Sequence, residues 1–259
     1  MDPGTLLGII LAFGAVFGSL VMEGGQPGAL LLIPPLLIVF GGTIGASMAG
    51  GNMKDFTSGF GRIRVALMSK QSASDDTVRT LVGFAERARR DGLLALEETA
   101  RAIEDPFLRK GIELAVDGTD PEELRDIMEA DIQATRAEHT LGVKLFGDMG
   151  GYAPTLGIIG TVLGLVHVLG NLDDPSKLGP LIAGAFVATL WGVMSANVMW
   201  LPISKKLKRI SEIELRRMDM LLEGVMAIQA GSNPRVIEQK LISFLPAKER
   251  AAYESEQAA

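Results

Sequence analysis

Hydrophobic residues lie in four long uncharged runs that are separated by polar segments. The runs cover residues 5–22, 28–49, 150–172 and 178–201, and none of them contains Asp, Glu, Lys or Arg. A helix that crosses the hydrocarbon core of a bilayer needs about 20 mostly apolar residues. We therefore predict four transmembrane helices in a 2+2 layout, with each pair closed by a short turn, EGGQP or DDPSK.

The polar segments have the pattern of amphipathic helices. Leu81, Phe84, Ala85 and Ala88 share one face of a helix that Ser74 would cap and Gly92 would end. A further break is predicted at Asp105-Pro106, and a helix start with proline in its first turn is predicted at Asp120-Pro121. The chain is thus predicted to be an all-α membrane protein with a helical cytoplasmic domain. The predicted divisions are transmembrane helices 1 and 2 in residues 1–50, a cytoplasmic helical domain in 51–147, transmembrane helices 3 and 4 in 148–202, and a cytoplasmic C-terminal helix and tail in 203–259.

Basic residues set the predicted orientation. Lys and Arg follow the second and fourth apolar runs, whereas the two short turns together hold only Lys177. Positive residues favour the cytoplasmic side, so both termini and the long middle segment of this multi-pass protein are predicted to be cytoplasmic. The first apolar run is too long for a signal peptide and is expected to remain as an anchor.

Composition excludes several kinds of site. The chain has 259 residues, 47% of them hydrophobic, a net charge of −6 and no cysteine. Thiolate chemistry is therefore excluded, and the net negative charge argues against a nucleic-acid-binding face. His139 and His167 form no recognisable zinc motif, and no nucleophile–base set can be assembled. We expect neither an enzyme nor a permanently bound cofactor.

The third and fourth runs each carry small and polar residues along one helix face. In the third run these are Gly150, Pro154, Gly157, Thr161 and Gly164, and in the fourth Ala185, Thr189, Gly192 and Ala196. Such faces permit close helix packing, and two mid-membrane threonines also fit a shared polar lining. Ion transfer usually needs an intramembrane carboxylate, which no run supplies. If the protein conducts ions, a partner helix must provide that carboxylate.

The sequence resembles the MotA/PomA family of flagellar-motor stator proteins over almost its whole length. The resemblance rests on PTLGIIGTVLGLVHVL (154–169), PPLLIVFGGTIGAS (34–47) and RARRDGLLALEE (87–98). It implies a ring of five copies around two copies of a MotB/PomB-type subunit, whose aspartate lies in the ion path. It also implies that the ring acts on a FliG-type rotor protein.

Residue roles also follow from the resemblance. Pro154 and Pro202 correspond to the family's functional prolines, and Thr161 and Thr189, on the face shared with Gly157, to the threonines beside its ion site. Because sodium-type members tend to have threonine at position 161, we expect Na⁺ rather than H⁺ to be transported and to contact both threonines transiently.

A charged motif is the predicted rotor contact. Arg89 and Arg90 end one predicted helix, and Glu97 and Glu98 begin the next. Cations at helix C-termini and anions at N-termini also simply complement the helix dipoles. The resemblance favours the rotor contact, with Arg89 and Glu97 as the first pair and Arg90 and Glu98 as the second.

Two other functions fit parts of the pattern. An ExbB/TolQ-type ion-driven energiser would share the last two runs, although the EGGQP hairpin argues against it. A structural membrane scaffold would use the glycine faces for packing alone, without conducting ions.

Overall fold

The protein is helical throughout the part that can be described. A computed structural model describes residues 3–68 and 74–257, and these form helices and turns with no strand among them. They belong to two compact units, one within Met1–Lys70 and Glu138–Ile210, the other within Gln71–Ala137 and Ser211–Ala259. Each unit is therefore assembled from two distant segments of the chain.

The first unit begins with five helices, and it also contains the whole of Pro175–Ser195 and parts of Pro121–Leu169 and Leu201–Gln229. Its N-terminal elements are α1 (Pro3–Met22), α2 (Ile33–Leu36), α3 (Gly42–Ala49), α4 (Met53–Gly61) and α5 (Ile63–Met68). Two further stretches, Pro121–Leu169 and Pro175–Gln229, are long and apolar enough to cross a membrane; Leu6–Met22 and Ile33–Ala49 are shorter apolar helices. The four-span layout stays a prediction.

The predicted start of the second apolar helix is wrong. Residues 27–30 form a 3₁₀ turn, and α2 begins only at Ile33. Pro34 and Pro35 lie in its first turn, where a missing backbone N–H removes no helical hydrogen bond. The adjacent prolines therefore mark the start of the helix. Leu37–Gly41 then form a π-helical segment that leads into α3.

The second unit is built around one apolar core. Its helices are α6 (Ser74–Asp91), α7 (Glu97–Ala102), α8 (Pro106–Val116), the N-terminal part of α9 (Pro121–Leu169), the C-terminal part of α11 (Leu201–Gln229), α12 (Pro234–Ile242) and α13 (Ala247–Gln257). Leu81, Leu124, Leu221 and Leu241 are completely buried in this core.

Several predicted local features of this unit are confirmed. Leu81 and Ala85 are buried, and Phe84 and Ala88 pack against the same cluster. Gly92 follows the last residue of α6 with φ at +85°, a conformation that glycine adopts without strain. Asp105 caps α8 by accepting a hydrogen bond from the Leu108 N–H at 2.8 Å. The capping side chain predicted at Ser74 lies outside the described atoms.

Aromatic side chains join the helices of the first unit. α10 (Pro175–Ser195) is followed by a second π-helical segment, Ala196–Trp200, that runs into α11. The Phe40 ring meets the Trp191 ring edge-on at 5.7 Å. The indole N–H of Trp191 donates a 2.7 Å hydrogen bond to the Leu30 carbonyl. These contacts fix the 3₁₀ turn and the second apolar helix against α10.

Candidate functional site

Glycine allows α9 and α10 to touch through their backbones. A Cβ placed on Gly157 would lie 2.9 Å from the Ala188 carbonyl oxygen and 3.1 Å from the Gly192 Cα. A Cβ on Gly192 would lie 2.7 Å from the Ala153 carbonyl oxygen. Any larger residue at either glycine would force the helices apart. The predicted small-residue face is thus a backbone-to-backbone contact, which we call the α9–α10 seam.

The seam continues toward the end of α9. Cβ atoms built on Gly160 and on Gly164 would each come within 2.7 Å of an alanine Cβ, those of Ala188 and Ala185 respectively. Three glycines of α9 therefore face three small residues of α10, namely Ala185, Ala188 and Gly192. Small residues at such crossings are the usual means of close helix approach in membranes.

Thr161 and Thr189 meet in the middle of the seam. Their hydroxyl groups are in hydrogen-bonding contact with each other. The Thr161 hydroxyl oxygen also lies 3.1 Å from the Gly157 carbonyl oxygen and 3.0 Å from that of Ala185. A hydroxyl has one hydrogen, so Thr161 donates to one of these acceptors at a time. Four oxygens from two helices converge here.

The seam is polar but uncharged. Residues 150–172 and 178–201 contain no Asp, Glu, Lys or Arg, and His167 is their single histidine. His167 is exposed, and no cluster of three or more His, Asp or Glu side chains suited to a metal ion occurs among the described residues. Uncharged oxygens can replace part of the water shell of a cation, but they do not neutralise its charge. The arrangement thus provides ligand oxygens and lacks the counter-charge.

The two prolines lie at different distances from the threonines. Pro154 is inside α9, one turn before Gly157, and deprives the Gly150 carbonyl of its helical hydrogen bond. Pro202 is the second residue of α11, thirteen residues beyond Thr189 and roughly 20 Å further along the helical rise. The structure therefore brings Thr161, Thr189 and Gly157 together with Pro154 one turn away, while Pro202 is separate.

The four predicted rotor-contact residues are exposed at the junction of α6 and α7. Arg90 forms a 3.2 Å ion pair with neighbouring Asp91, and Glu97 pairs with Arg101 at 2.9 Å within α7. Among the described residues, the Arg89 and Glu98 side chains have no such partner. The four charges are thus close in the chain and do not pair with one another.

One contact at the α6–α7 junction and one in the α9–α10 seam were not predicted from the sequence. The Arg87 guanidinium donates a 2.7 Å hydrogen bond to the Thr99 hydroxyl and so joins the end of α6 to α7. The Ala185 carbonyl was not anticipated as a neighbour of Thr161. Backbone acceptors have no signature in the side-chain pattern, but the small residue at 185 did indicate close approach at that point.

The chain matches two known protein families and is similar to individual members of them. Residues 99–220 match the MotA/TolQ/ExbB proton channel family, and residues 6–92 match the motility protein A N-terminal family. The chain is 39% identical to motility protein A of Bacillus subtilis (strain 168), over 98% of this chain and 94% of that protein. It is also 39% identical to chemotaxis protein PomA of Vibrio alginolyticus, over 97% and 98% respectively.

A solved structure shares the fold as well. The chain is similar to a chain in the structure of the flagellar MotAB stator complex from Bacillus subtilis, with a TM-score of 0.89, 39% identity, and coverage of 96% of this chain and 98% of that one. The helical fold with its uncharged polar seam is that of the MotA/TolQ/ExbB class of channel proteins. Within that class, the chain belongs to the MotA family of flagellar motor stator proteins. The match of the N-terminal family model favours this branch over an ExbB/TolQ-type energiser.

Proposed function

We propose that this protein is the ion-conducting stator subunit of a flagellar motor and that Na⁺ passes along the α9–α10 seam. The observation that carries the proposal is the meeting of the Thr161 and Thr189 hydroxyls between two apolar stretches, 150–172 and 178–201, that contain no Asp, Glu, Lys or Arg. A scaffold would need the small residues of the seam but not two hydroxyls in contact at its centre.

The seam requires a partner that supplies negative charge. No carboxylate lies in residues 150–172 or 178–201, and a cation in a low-dielectric passage needs a counter-charge. A MotB/PomB-type subunit with one aspartate on a single transmembrane helix satisfies this requirement. The solved relative is a MotAB complex, which supports such a partner, and five copies of this chain around two partner copies is the stoichiometry we propose.

Sodium is favoured by the number of oxygens at the seam. Na⁺ exchanges its water shell for several oxygen ligands, whereas a proton binds covalently to one carboxylate. The Thr161 and Thr189 hydroxyls, with the carbonyls of Gly157 and Ala185, supply oxygens beside the place where the partner carboxylate would enter. An alanine at position 161 would leave a carboxylate able to carry a proton but would remove one ligand for sodium.

Torque would arise outside the membrane. We propose that the protein lies in the bacterial inner membrane with both termini in the cytoplasm, as the Lys and Arg distribution indicates. The exposed charges at the α6–α7 junction, Arg89 and Glu97 first and Arg90 and Glu98 second, would then be accessible to a FliG-type rotor protein.

Motor speed as a function of Na⁺ concentration at fixed pH tests this function. Thr161→Ala should raise the Na⁺ concentration needed for half-maximal speed by about tenfold, which corresponds to the loss of roughly 1.4 kcal/mol of ion binding. The matched control is Thr155→Ala on the same helix, because Thr155 is exposed and its hydroxyl donates only to its own backbone, at the Tyr152 carbonyl. Parent rotation that continues unchanged without Na⁺ would contradict the choice of sodium, and an equal loss in both variants would contradict the role of the seam.

A further inference from the structure

A groove of about 560 Å³ lies between the start of α1 and the region where α10 passes into α11. One wall is formed by Gly4, Gly8, Ile9 and Ala12 of α1, and the other by the second π-helical segment and the first turns of α11. The groove is distinct from the α9–α10 seam, since it contains neither threonine and no residue of α9.

The chemistry of the groove changes along the helix that forms one wall. Asn197 and Val198 belong to the π-helical segment before α11, whereas Lys205, Lys206 and Arg209 follow about 10–18 Å further along the helical rise. The apolar residues Ile9 and Ala12 of α1 also line the groove, and no carboxylate is among the described residues that line it. A ligand that fits this division carries a negative group at one end and a hydrocarbon chain at the other.

Gly8 of α1 leaves room that this chain does not use. Gly4, Gly8 and Ala12 are spaced by four residues and so share one helix face. A Cβ built on Gly8 would have nothing within 4 Å, so contacts among the described residues do not require glycine at that position. Between residues 4 and 12 the helix rises about 12 Å, which approaches the roughly 15 Å depth of one leaflet's hydrocarbon.

From this geometry we infer that the groove binds an anionic phospholipid of the cytoplasmic leaflet. The phosphate group accepts hydrogen bonds from the Lys205 and Lys206 ammonium groups and the Arg209 guanidinium, which suits phosphate oxygens. One acyl chain lies along Gly4, Gly8 and Ala12. Basic pockets between membrane helices on the cytoplasmic side characteristically hold such headgroups. The inference depends on the proposed membrane orientation and not on which ion is transported.

The three cations have a simpler explanation that a nearby residue can test. Basic residues after a membrane span follow the positive-inside rule without binding any particular lipid. Lys208 contributes equally to that rule and is exposed on the same helix, but it does not line the groove. If the cations only set the membrane topology, substitutions at Lys205 and Lys208 should affect lipid retention equally. If the groove is a lipid site, the substitution at Lys205 should weaken lipid retention and the one at Lys208 should not.

Native mass spectrometry of the purified stator complex, with its partner subunit present, measures the binding. Dioleoylphosphatidylglycerol and dioleoylphosphatidylcholine are titrated separately, which distinguishes the anionic headgroup from the acyl chains, and inorganic phosphate is added as a competitor. We expect preferential retention of phosphatidylglycerol that phosphate does not displace. Lys205→Gln should weaken phosphatidylglycerol binding about fivefold, and the double variant Lys205→Gln/Lys206→Gln should weaken it roughly twentyfold. Lys208→Gln should leave phosphatidylglycerol binding unchanged.

Gly8→Leu tests the groove independently of charge. Leucine would fill the open space beside α1, so phosphatidylglycerol retention should fall while the complex remains assembled. Equal retention of the two lipids, equal effects at Lys205 and Lys208, or full displacement by phosphate would each overturn the inference. A neighbouring copy of the chain in the groove would also overturn it, and would show as loss of ring assembly in Gly8→Leu with lipid retention at the parent value. Because none of these readouts measures ion flow, a negative result leaves the proposed stator function standing.

Discussion

At the scale of single residues, the contact between Thr161 and Thr189 gives the seam its polar character. Each hydroxyl is held in place by the other, and the glycines around them bring the two helices close enough for that contact. A threonine hydroxyl in a membrane helix commonly donates to the backbone carbonyl one turn earlier in the same helix, and the Thr161 hydroxyl lies 3.1 Å from such a carbonyl oxygen, that of Gly157. The hydroxyl partner on α10 is what distinguishes this pair from simple backbone bonding.

The pair predicts strongly non-additive mutant effects. Thr161→Ala and Thr189→Ala should each raise the Na⁺ concentration for half-maximal motor speed by about tenfold. The double variant should be little worse than either single variant, because removing one hydroxyl already leaves the other without its partner. A double-mutant cycle of motor speed against Na⁺ concentration measures the coupling. Fully additive losses would show that the two hydroxyls act separately.

Two carboxylates one turn apart on α11 have opposite electrostatic environments. Burial alone raises the pKa of Glu223, but hydrogen bonds from Lys240 and Arg125 outweigh it and hold the pKa below its ordinary value. Burial raises the pKa of Asp219, with Arg136 opposing the shift. Ionised Glu223 therefore stabilises the folded unit, whereas ionised Asp219 destabilises it.

The signs of these shifts predict two opposite effects on stability. At pH 7, Glu223→Gln should lower the melting temperature of the second unit, measured in the full chain, and Asp219→Asn should raise it. The contribution of Glu223 is present above its unfolded pKa, near 4.5, and is lost as pH falls through the lower folded value. The Asp219→Asn gain should shrink as pH falls through the raised pKa of the parent aspartate. Thermal melts of both variants from pH 7 to acid check this, and shifts of the same sign at pH 7 would contradict it.

At the scale of helices, the seam depends on the absence of side chains. Gly157→Ala would place a methyl group 2.9 Å from the Ala188 carbonyl oxygen, on backbone atoms that cannot move aside. We expect a loss of about 1–3 kcal/mol of stability from the overpacking, together with weaker ion flow as the threonines separate. Thermal unfolding of the purified complex and motor speed measure the two effects.

Gly151→Ala is the matched control for that substitution. It makes the same change on α9, six residues earlier, where a Cβ would have nothing within 4 Å. Since alanine favours helix more than glycine does, this variant should be at least as stable as the parent. A comparable loss in both variants would mean that α9 tolerates no added methyl group at either position and that the loss is not specific to the seam.

Helix patterns and stop signals were predictable because they are local. The apolar face of α6, its end at Gly92 and the cap at Asp105 all follow from residues within one or two turns. The spacing of glycines also predicted the α9–α10 contact surface. By contrast, the 3₁₀ turn at residues 27–30 is held by a distant residue, because the Trp191 indole N–H donates to the Leu30 carbonyl, and no local pattern specifies that contact.

The ion site itself was predictable only in part. Threonines at 161 and 189 could be assigned to one polar lining from the small-residue periodicity of each run. Their direct contact, and the approach of the Ala185 carbonyl, depend on the relative rotation and translation of two helices, which no periodicity specifies. The carboxylate that the proposed ion path needs would belong to a second chain, so only the need for it can be inferred from this one.

At the scale of the whole molecule, the proposed ion passage and the proposed rotor contact involve different units of the chain. The seam belongs to the first unit, and the exposed charges at the α6–α7 junction belong to the second. α9 and α11 each contribute residues to both units. A charge change on the surface of the second unit should therefore alter torque without altering ion conduction or folding.

Reversing Arg89 and Glu97 tests this separation. Both side chains are exposed, and the only ion pair between them and the rest of the described chain joins Glu97 to Arg101 within α7. Exposed pairs of this kind contribute about 0–1 kcal/mol to stability, so Arg89→Glu and Glu97→Lys should leave thermal unfolding close to that of the parent. Torque on tethered cells should fall sharply in each variant because the charge of the surface presented to the rotor is locally reversed.

Arg235→Glu is the control, an exposed charge reversal on α12 of the same unit, and it should change neither thermal unfolding nor torque. Normal torque in both reversals and in their combination would remove the rotor contact from this junction, and unfolding of the second unit would show instead that these charges serve the fold.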